Sequence, residues 1–276
     1  MKVINNMTFT LIIAVKNGAS TLQRCIDSVL AQSYSSIELI IIDADSDDGT
    51  KELLRLNDHN IAYWESKPDR GIAHAWNKAL KHAKGEWLCF LGADDYFWDS
   101  AVIDNVHYFI QSHEDLPSVI YGKVNVVDAE DAVLGTYGDE WSVAQKHILD
   151  SMSLPHQGVF HHRSLFLQHG EFDEIYKVGP DYEFLLRELI DGDAILIPSL
   201  IVTGMQQGGL SSDPHFALHA LKDIRNAVNK HNTGGVSLNW YVIYIRALIR
   251  RGIEIVLGDN AARIITSFYR KIKTRQ

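Results

Sequence analysis

An α/β fold, with a mainly parallel central sheet flanked by helices and a helical C-terminal extension, follows from three features of the chain. Between Thr8 and Asp99, short apolar runs rich in β-branched residues alternate with amphipathic helical stretches. The best defined run, Trp87–Leu91, is apolar throughout, as a strand covered on both faces must be. From Asp213 onward the pattern turns wholly helical. With 276 residues the chain is long enough to bury a large core.

Thr8–Val15 is the first strand, and Lys16-Asn17-Gly18 is the turn that ends it. Leu22, Cys25, Ile26, Val29 and Leu30 recur at helical spacing within Ala19–Gln32. Glu38–Ile42 is a second buried strand, closed by the acidic run from Asp43 to Asp48. A helix over Thr50–Leu56, a strand over Ile61–Trp64, a loop over Glu65–Gly71 and a helix over Ile72–Lys84 lead to Trp87–Leu91. Beyond Asp99 the pattern is mixed. It predicts a helix to Ser112, strands at Val119–Tyr121, Lys123–Val127 and Ala132–Tyr137, and a helix over Trp141–Ser151. A strand at Gly158–His161, helices at Ser164–His169 and Pro180–Ile190, and a strand at Ala194–Val202 follow. Gly204–Ser212 reads either as a loop that closes over a ligand or as a plain connection.

The net charge of −9 argues against a general nucleic-acid binder but leaves a nucleotide ligand open. Cys25 and Cys89 fall in apolar periodic segments, which predicts two buried thiols in a reducing compartment. Near the N-terminus the apolar run Phe9–Val15 is too short for a signal peptide, and no stretch approaches 18 apolar residues. A cytoplasmic protein is the expectation. Residues 236–276 differ: Arg246, Arg250, Arg251, Arg263, Arg270, Lys271, Lys273 and Arg275 face only Glu254 and Asp259. That segment reads as an amphipathic tail for an anionic membrane surface, or as helices packed with their basic faces in water.

Polar clusters follow each of the first four strands: Val15 to Gly18, Asp43 to Ser46, Lys67 to Gly71, and Gly92 to Asp95. In a parallel sheet these tips share the edge where ligands bind. Asp94 and Asp95 repel each other unless a hard divalent cation or hydrogen-bond donors meet them; otherwise they are a solvated loop or a helix cap. Asp43 accepts from a nucleobase N–H or ribose hydroxyl, or caps a helix. Asp69 and Arg70 pair at the surface, or Arg70 reaches a phosphate. Trp76, Trp87 and Trp98 read as core, and Trp141 as a candidate for stacking on a sugar ring. The spacing of His156, His161, His162 and His169 matches no zinc pattern.

The stretches LIIAVKNGASTLQRCIDSVLAQSYSSIELIIIDADSDDGT and ESKPDRGIAHAWNKALKHAKGEWLCFLGADD resemble the family 2 glycosyltransferases of the GT-A fold. The resemblance runs over residues 8–210, is strongest over 8–99, and is closest to bacterial members that build exopolysaccharide or other surface glycans. It implies a Rossmann-like GT-A domain over 1–212, with a nucleotide-sugar part (1–99), an acceptor and catalytic part (100–212), and a basic helical extension (213–276). It also implies a nucleoside diphosphate sugar donor, UDP favoured, a divalent cation (Mn²⁺ or Mg²⁺), and inverting transfer to a glycan or lipid-linked sugar acceptor.

Carried over by position, Asp43 contacts the nucleobase, with Val15, Asn17 and Asp45 beside it. Lys67, Asp69, Arg70 and Gly71 form the loop near the donor. Asp94 is the metal-binding acid of the family's Asp-x-Asp signature, with Asp95 next to it. The chain departs from that signature at Gly92, where the first acid would stand. Asp181 matches the base position, with Glu183 and Asp173 as further candidates, and His156-Gln157 falls near the acceptor or the donor phosphates. Gly92 keeps a non-catalytic nucleotide-sugar or glycan-binding subunit open. A nucleotidyltransferase would need a longer Gly-rich loop than Lys16 to Ala19.

Overall fold

The apolar runs of the first hundred residues become strands because both of their faces are covered. In the computed structural model, which describes residues 7–207, 214–231 and 233–257, β1 (Phe9–Val15) lies between β2 (Ile37–Asp43) and β4 (Trp87–Gly92). Both pair with it in parallel, and β3 (Tyr63–Ser66) joins β2 in parallel. Leu11, Ile12, Ile13, Ile40, Ile41 and Phe90 are fully enclosed. The connecting helices are α1 (Leu22–Leu30), α2 (Thr50–Leu56) and α3 (Ile72–Leu80), and α1 buries Leu22, Cys25, Ile26 and Val29 at its predicted apolar positions.

The chain continues through β5 (Tyr96–Phe97), α4 (Val102–Gln111), β6 (Val119–Val127), β7 (Val133–Tyr137), α5 (Trp141–Ala144), β8 (Val159–His162), α6 (Ser164–His169), α7 (Pro180–Leu189) and β9 (Ala194–Gln206). The sheet order is β3-β2-β1-β4-β8-β6-β9-β5, with β7 paired to β6. β8 runs antiparallel to β4 and β6, so the sheet is mixed on this side. Cys25 and Cys89 are free and buried.

Three expectations need correction, and one strand had not been expected. Lys123–Val127 is not a separate strand: β6 passes through Gly122, where a side chain would strike Val202 Cγ2 at 2.6 Å, so the glycine lets β9 approach. The helix over Trp141–Ser151 is only four α-helical residues and a 3-10 turn at Gln145–His147. β9 runs on to Gln206 because Lys123–Val127 supplies it with parallel partners, so Gly204 is in a strand rather than a loop; residues 208–213 lie outside the described residues. Finally, β5 is a two-residue strand against Thr203 and Gly204, too short to leave a periodic signal.

The described residues form two compact units, one of 7–148 and 152–207, the other of 149–151 with those beyond 213. In the second, α8 (Pro214–Lys230) and α9 (Leu238–Leu257) pack around Trp240, whose Nε1 donates to the Leu221 carbonyl at 3.2 Å. Ser237 caps α9, its Oγ accepting from the Asn239 amide at 3.0 Å, and Asp150 holds this cap by accepting from the Ser237 hydroxyl at 2.8 Å and the Ser237 amide at 3.2 Å. No described helix is long and apolar enough to cross a membrane.

Candidate active site

The sheet register brings four strand ends to one edge: Val15 lies opposite Asp43, Ala14 opposite Gly92, and Asp43 opposite Ser66. Asp43 is fully buried and accepts from the Ser46 amide (3.1 Å), the Ser46 hydroxyl and the Ser66 hydroxyl (2.5 Å). These donors offset the cost of burying a carboxylate. They also fix the loop after β2. Asn17 and Asp45 both take left-handed backbone angles, φ 54° and 58°. The Asn17 amide donates to Ser46 Oγ at 2.7 Å, and the Ala44 amide to the Val15 carbonyl at 2.9 Å, so the two strand ends are tied together. Asp45 itself turns outward to Lys51 at 2.5 Å. Asp43 is not a helix cap; the Thr50 amide at the start of α2 is met by Asp48 at 3.1 Å.

The loop after β3 carries the next group. Lys67 is exposed and paired with Glu65 at 2.9 Å. Asp69 and Arg70 do not pair with each other. Asp69 accepts from the Gly71 amide at 2.9 Å, holding a turn in which Gly71 has φ 121°, and Arg70 forms a two-pronged pair with Glu174 at 2.9 and 3.0 Å. Lys177 Nζ donates to the Arg70 carbonyl at 3.2 Å, so this loop is clasped to the segment before α7.

At the end of β4, Asp95 is buried and Asp94 half-buried. Asp95 accepts from the Gly92 amide at 2.9 Å and from the Gln206 amide. Burial, with the neighbouring Asp94 charge second, pushes its pKa up to about 7. A Cβ placed on Gly92 would meet Asp95 Oδ2 at 2.7 Å and Asp94 Oδ1 at 2.8 Å. The two carboxylates thus lean into the space that the family's first acid would occupy. Two oxygen-donor acids whose charges oppose each other fit a hard divalent cation that also takes phosphate oxygens. Among the described residues no three His, Cys, Asp or Glu side chains converge as a metal-binding group.

The other side of the site is aromatic. His156 is buried, stacks on Phe90 of β4 with centroids 5.7 Å apart, and lies 5.3 Å from Trp76. Burial lowers its pKa to about 3, so the ring is neutral. Its Nδ1 stands 3.7 Å from Asp181 Oδ2. Asp181 is in the first turn of α7 after Pro180, where the helix dipole favours a carboxylate. His156 Nε2 and Trp76 Nε1 are buried without a hydrogen-bond partner. Gln157 is half-buried, and its carbonyl accepts from the Thr203 hydroxyl at 3.5 Å.

Two of the other expected residues serve the fold. Glu183 is fully buried and paired with Arg187 at 2.5 Å, so it is committed to α7 rather than open to an acceptor. Trp141 is buried and donates to Asp193 at 3.0 Å, which removes it as a sugar platform. Asp173 accepts from the Ile175 amide at 3.0 Å in a turn. Residues not anticipated include Asn77, which clamps the Phe172 backbone through two hydrogen bonds of 2.9 Å, and Glu174. Asn77 had a signal, a polar residue on the buried face of α3. Glu174 had none, since its partner lies 104 residues away.

The sequence pattern described as "Glycosyl transferase family 2" matches residues 10–169. The chain belongs to this family. The family 2 enzyme is 30% identical over 185 residues, 65% of its length and 68% of the relative's, to a "PGL/p-HBAD biosynthesis glycosyltransferase" of Mycobacterium bovis (strain BCG / Pasteur 1173P2). Its fold matches S. aureus TarS 1-349 in complex with UDP-GlcNAc, with TM-score 0.64 and 17% identity over 90% of this chain and 73% of that one. It also matches the mannosyltransferase PcManGT from Pyrobaculum calidifontis in complex with GDP-Man and Mn²⁺, with TM-score 0.62 and 17% identity over 95% and 79%. The chain spans 44% of a longer TarS structure. These likenesses establish the GT-A fold.

Proposed function

We propose that this glycosyltransferase moves a sugar from a nucleoside diphosphate sugar, UDP favoured, to a glycan or lipid-linked acceptor in cell-surface polysaccharide synthesis. The observation that carries the reading is the chain of contacts from Asp181 through His156 to Phe90, two residues before Gly92. It links the candidate base to the strand end bearing Asp94 and Asp95. Residues 1–212 would form the catalytic domain, with the donor part over 1–99. The acceptor would be reached at the inner face of the membrane, from the cytoplasm.

Asp43 would receive the nucleobase, its loop shaped beforehand by Ser46 and Ser66, with Val15, Asn17 and Asp45 around it. Lys67 and Arg70 would meet the diphosphate, Arg70 by exchanging Glu174 for phosphate. Asp94 and Asp95 would hold the divalent cation, which when bound neutralises charge on the leaving diphosphate. Asp181 would take the proton from the acceptor hydroxyl as that oxygen bonds to the anomeric carbon and the carbon–oxygen bond to the diphosphate breaks. The sugar inverts and the nucleoside diphosphate leaves. The neutral His156, fixed between Phe90 and Trp76, would hold the Asp181 carboxylate in place without adding charge.

The test is the melting temperature of the purified protein with UDP, GDP and dTDP, each with and without Mn²⁺. A ligand that binds only the folded state raises it by mass action. A metal-dependent rise with UDP above the other two supports the reading. No rise with any of the three would remove the donor site.

A further inference from the structure

We propose that the outer face of α9 docks in the plane of an anionic lipid bilayer. Leu238, Val242, Ile245, Leu248, Ile249 and Ile255 repeat at three- and four-residue spacing, which places them on one side of the helix. All six are exposed, from 44% for Val242 to 84% for Leu238. The opposite side is spoken for: Trp240 is 1% exposed, Tyr244 stacks on it at 4.9 Å, and both belong to the contact with α8. A contiguous apolar stripe of this kind on a soluble unit marks a surface that meets something.

Charge decides what that is. By helical spacing Arg246 and Arg250 flank one margin of the stripe and Arg251 the other, and the sequence of α9 carries these three basic residues against one acidic residue, Glu254. In a two-fold contact between copies the same surface meets itself, so a face with a surplus of positive charge would meet another with the same surplus. Residues 258–276 are no better matched, with five basic residues against Asp259. A bilayer containing anionic lipid supplies both an apolar interior for the stripe and negative headgroups for the margins. The surplus of eight basic over two acidic residues in 236–276 stands in a chain of net charge −9, so the basic character is confined to this segment. The inference goes beyond the catalytic reading, and it is scored without turnover, so either can fail alone.

The experiment is flotation of the full-length protein with vesicles of phosphatidylcholine alone, or with about 30 mol% phosphatidylglycerol, at about 0.1 M salt. The protein should float with the anionic vesicles and not with the neutral ones. Ile245→Glu with Ile249→Glu should abolish flotation while leaving the circular dichroism and melting temperature unchanged, because both side chains are exposed. Arg246→Gln with Arg250→Gln should weaken it by about fivefold per charge. Failure of the unmodified protein to float, or equal flotation on neutral vesicles, would overturn the proposal. So would unchanged flotation of the Ile245→Glu, Ile249→Glu variant, or a dimer that this variant converts to monomer in sedimentation. If flotation appears only after removal of 258–276, that segment covers the face and the proposal also falls.

Discussion

The two sides of the candidate site, the strand end around Asp43 proposed for the donor and the surroundings of Asp181 proposed for the acceptor, are built by different means. On the proposed donor side Asp43 is buried among donors of its own chain, and Ser46, Ser66 and Asn17 supply hydrogen bonds that shape the loop after β2. On the acceptor side Asp181 faces a shell of rings, and buried polar atoms, Trp76 Nε1 and His156 Nε2, have no hydrogen-bond partner. A closed polar network fixes a shape before any ligand arrives. In the aromatic shell two buried ring nitrogens leave hydrogen-bonding capacity unspent. The difference teaches that the loop around Asp43 is preformed by polar contacts, while the surroundings of His156 owe more of their order to ring packing, with Asn77 clamping the Phe172 backbone.

The sharpest test of that contrast is Asp181→Asn. Transfer should fall by about 10²–10⁴-fold, the usual contribution of a general base, while UDP affinity measured by calorimetry stays within error. Equal loss of donor affinity would mean that the two sides are one network. Arg187→Ala comes next, because it removes the guanidinium paired with the buried Glu183 carboxylate on α7. Denaturant unfolding should show a loss of about 3–5 kcal/mol.

Between about pH 3 and 7 the two sides should respond to protons with opposite sign. His156 has a folded-state pKa of about 3 against an ordinary 6.5, so the unfolded chain binds the extra proton and stability falls as pH drops through that window. Asp95 is the reverse: its pKa of about 7, raised from 3.8, means that the folded chain holds the extra proton and stability falls as pH rises from 3.8 to 7. The two windows overlap from pH 3.8 to 6.5, where the terms oppose each other, so in metal-free buffer His156→Asn should tilt melting temperature downward with rising pH and Asp95→Asn should tilt it upward, each by an amount on the order of 3 kcal/mol or less. A slope that survives both changes would trace to other groups. The smallest effect is expected from Glu174→Gln. Releasing Arg70 from its two-pronged partner should tighten UDP binding only a few-fold, about the worth of an exposed ion pair.

Much of the architecture was legible in one dimension. β1, β2 and β4 are apolar on both faces, and that pattern has few other uses, so the parallel half of the sheet and the edge holding Asp43, Asp94 and Asp95 could be read directly. α6 and α7 announced themselves through Gly170 and Pro180. What failed were features set by pairing across the chain. The extension of β9 to Gln206 depends on β6, and β5 exists only because Thr203 and Gly204 lie beside it.

Partnerships between charged residues were equally hidden. Sequence alone determined which residue types stand at the strand ends, because periodicity and turn chemistry are local. Only the tertiary structure decided that Arg70 belongs to Glu174, that Glu183 is consumed by Arg187 and Trp141 by Asp193, and that Asp181 looks onto a neutral His156. Short-range hydrogen-bond and charge preferences act over a few ångströms in space, and a chain carries no mark of which distant residue will arrive within that reach.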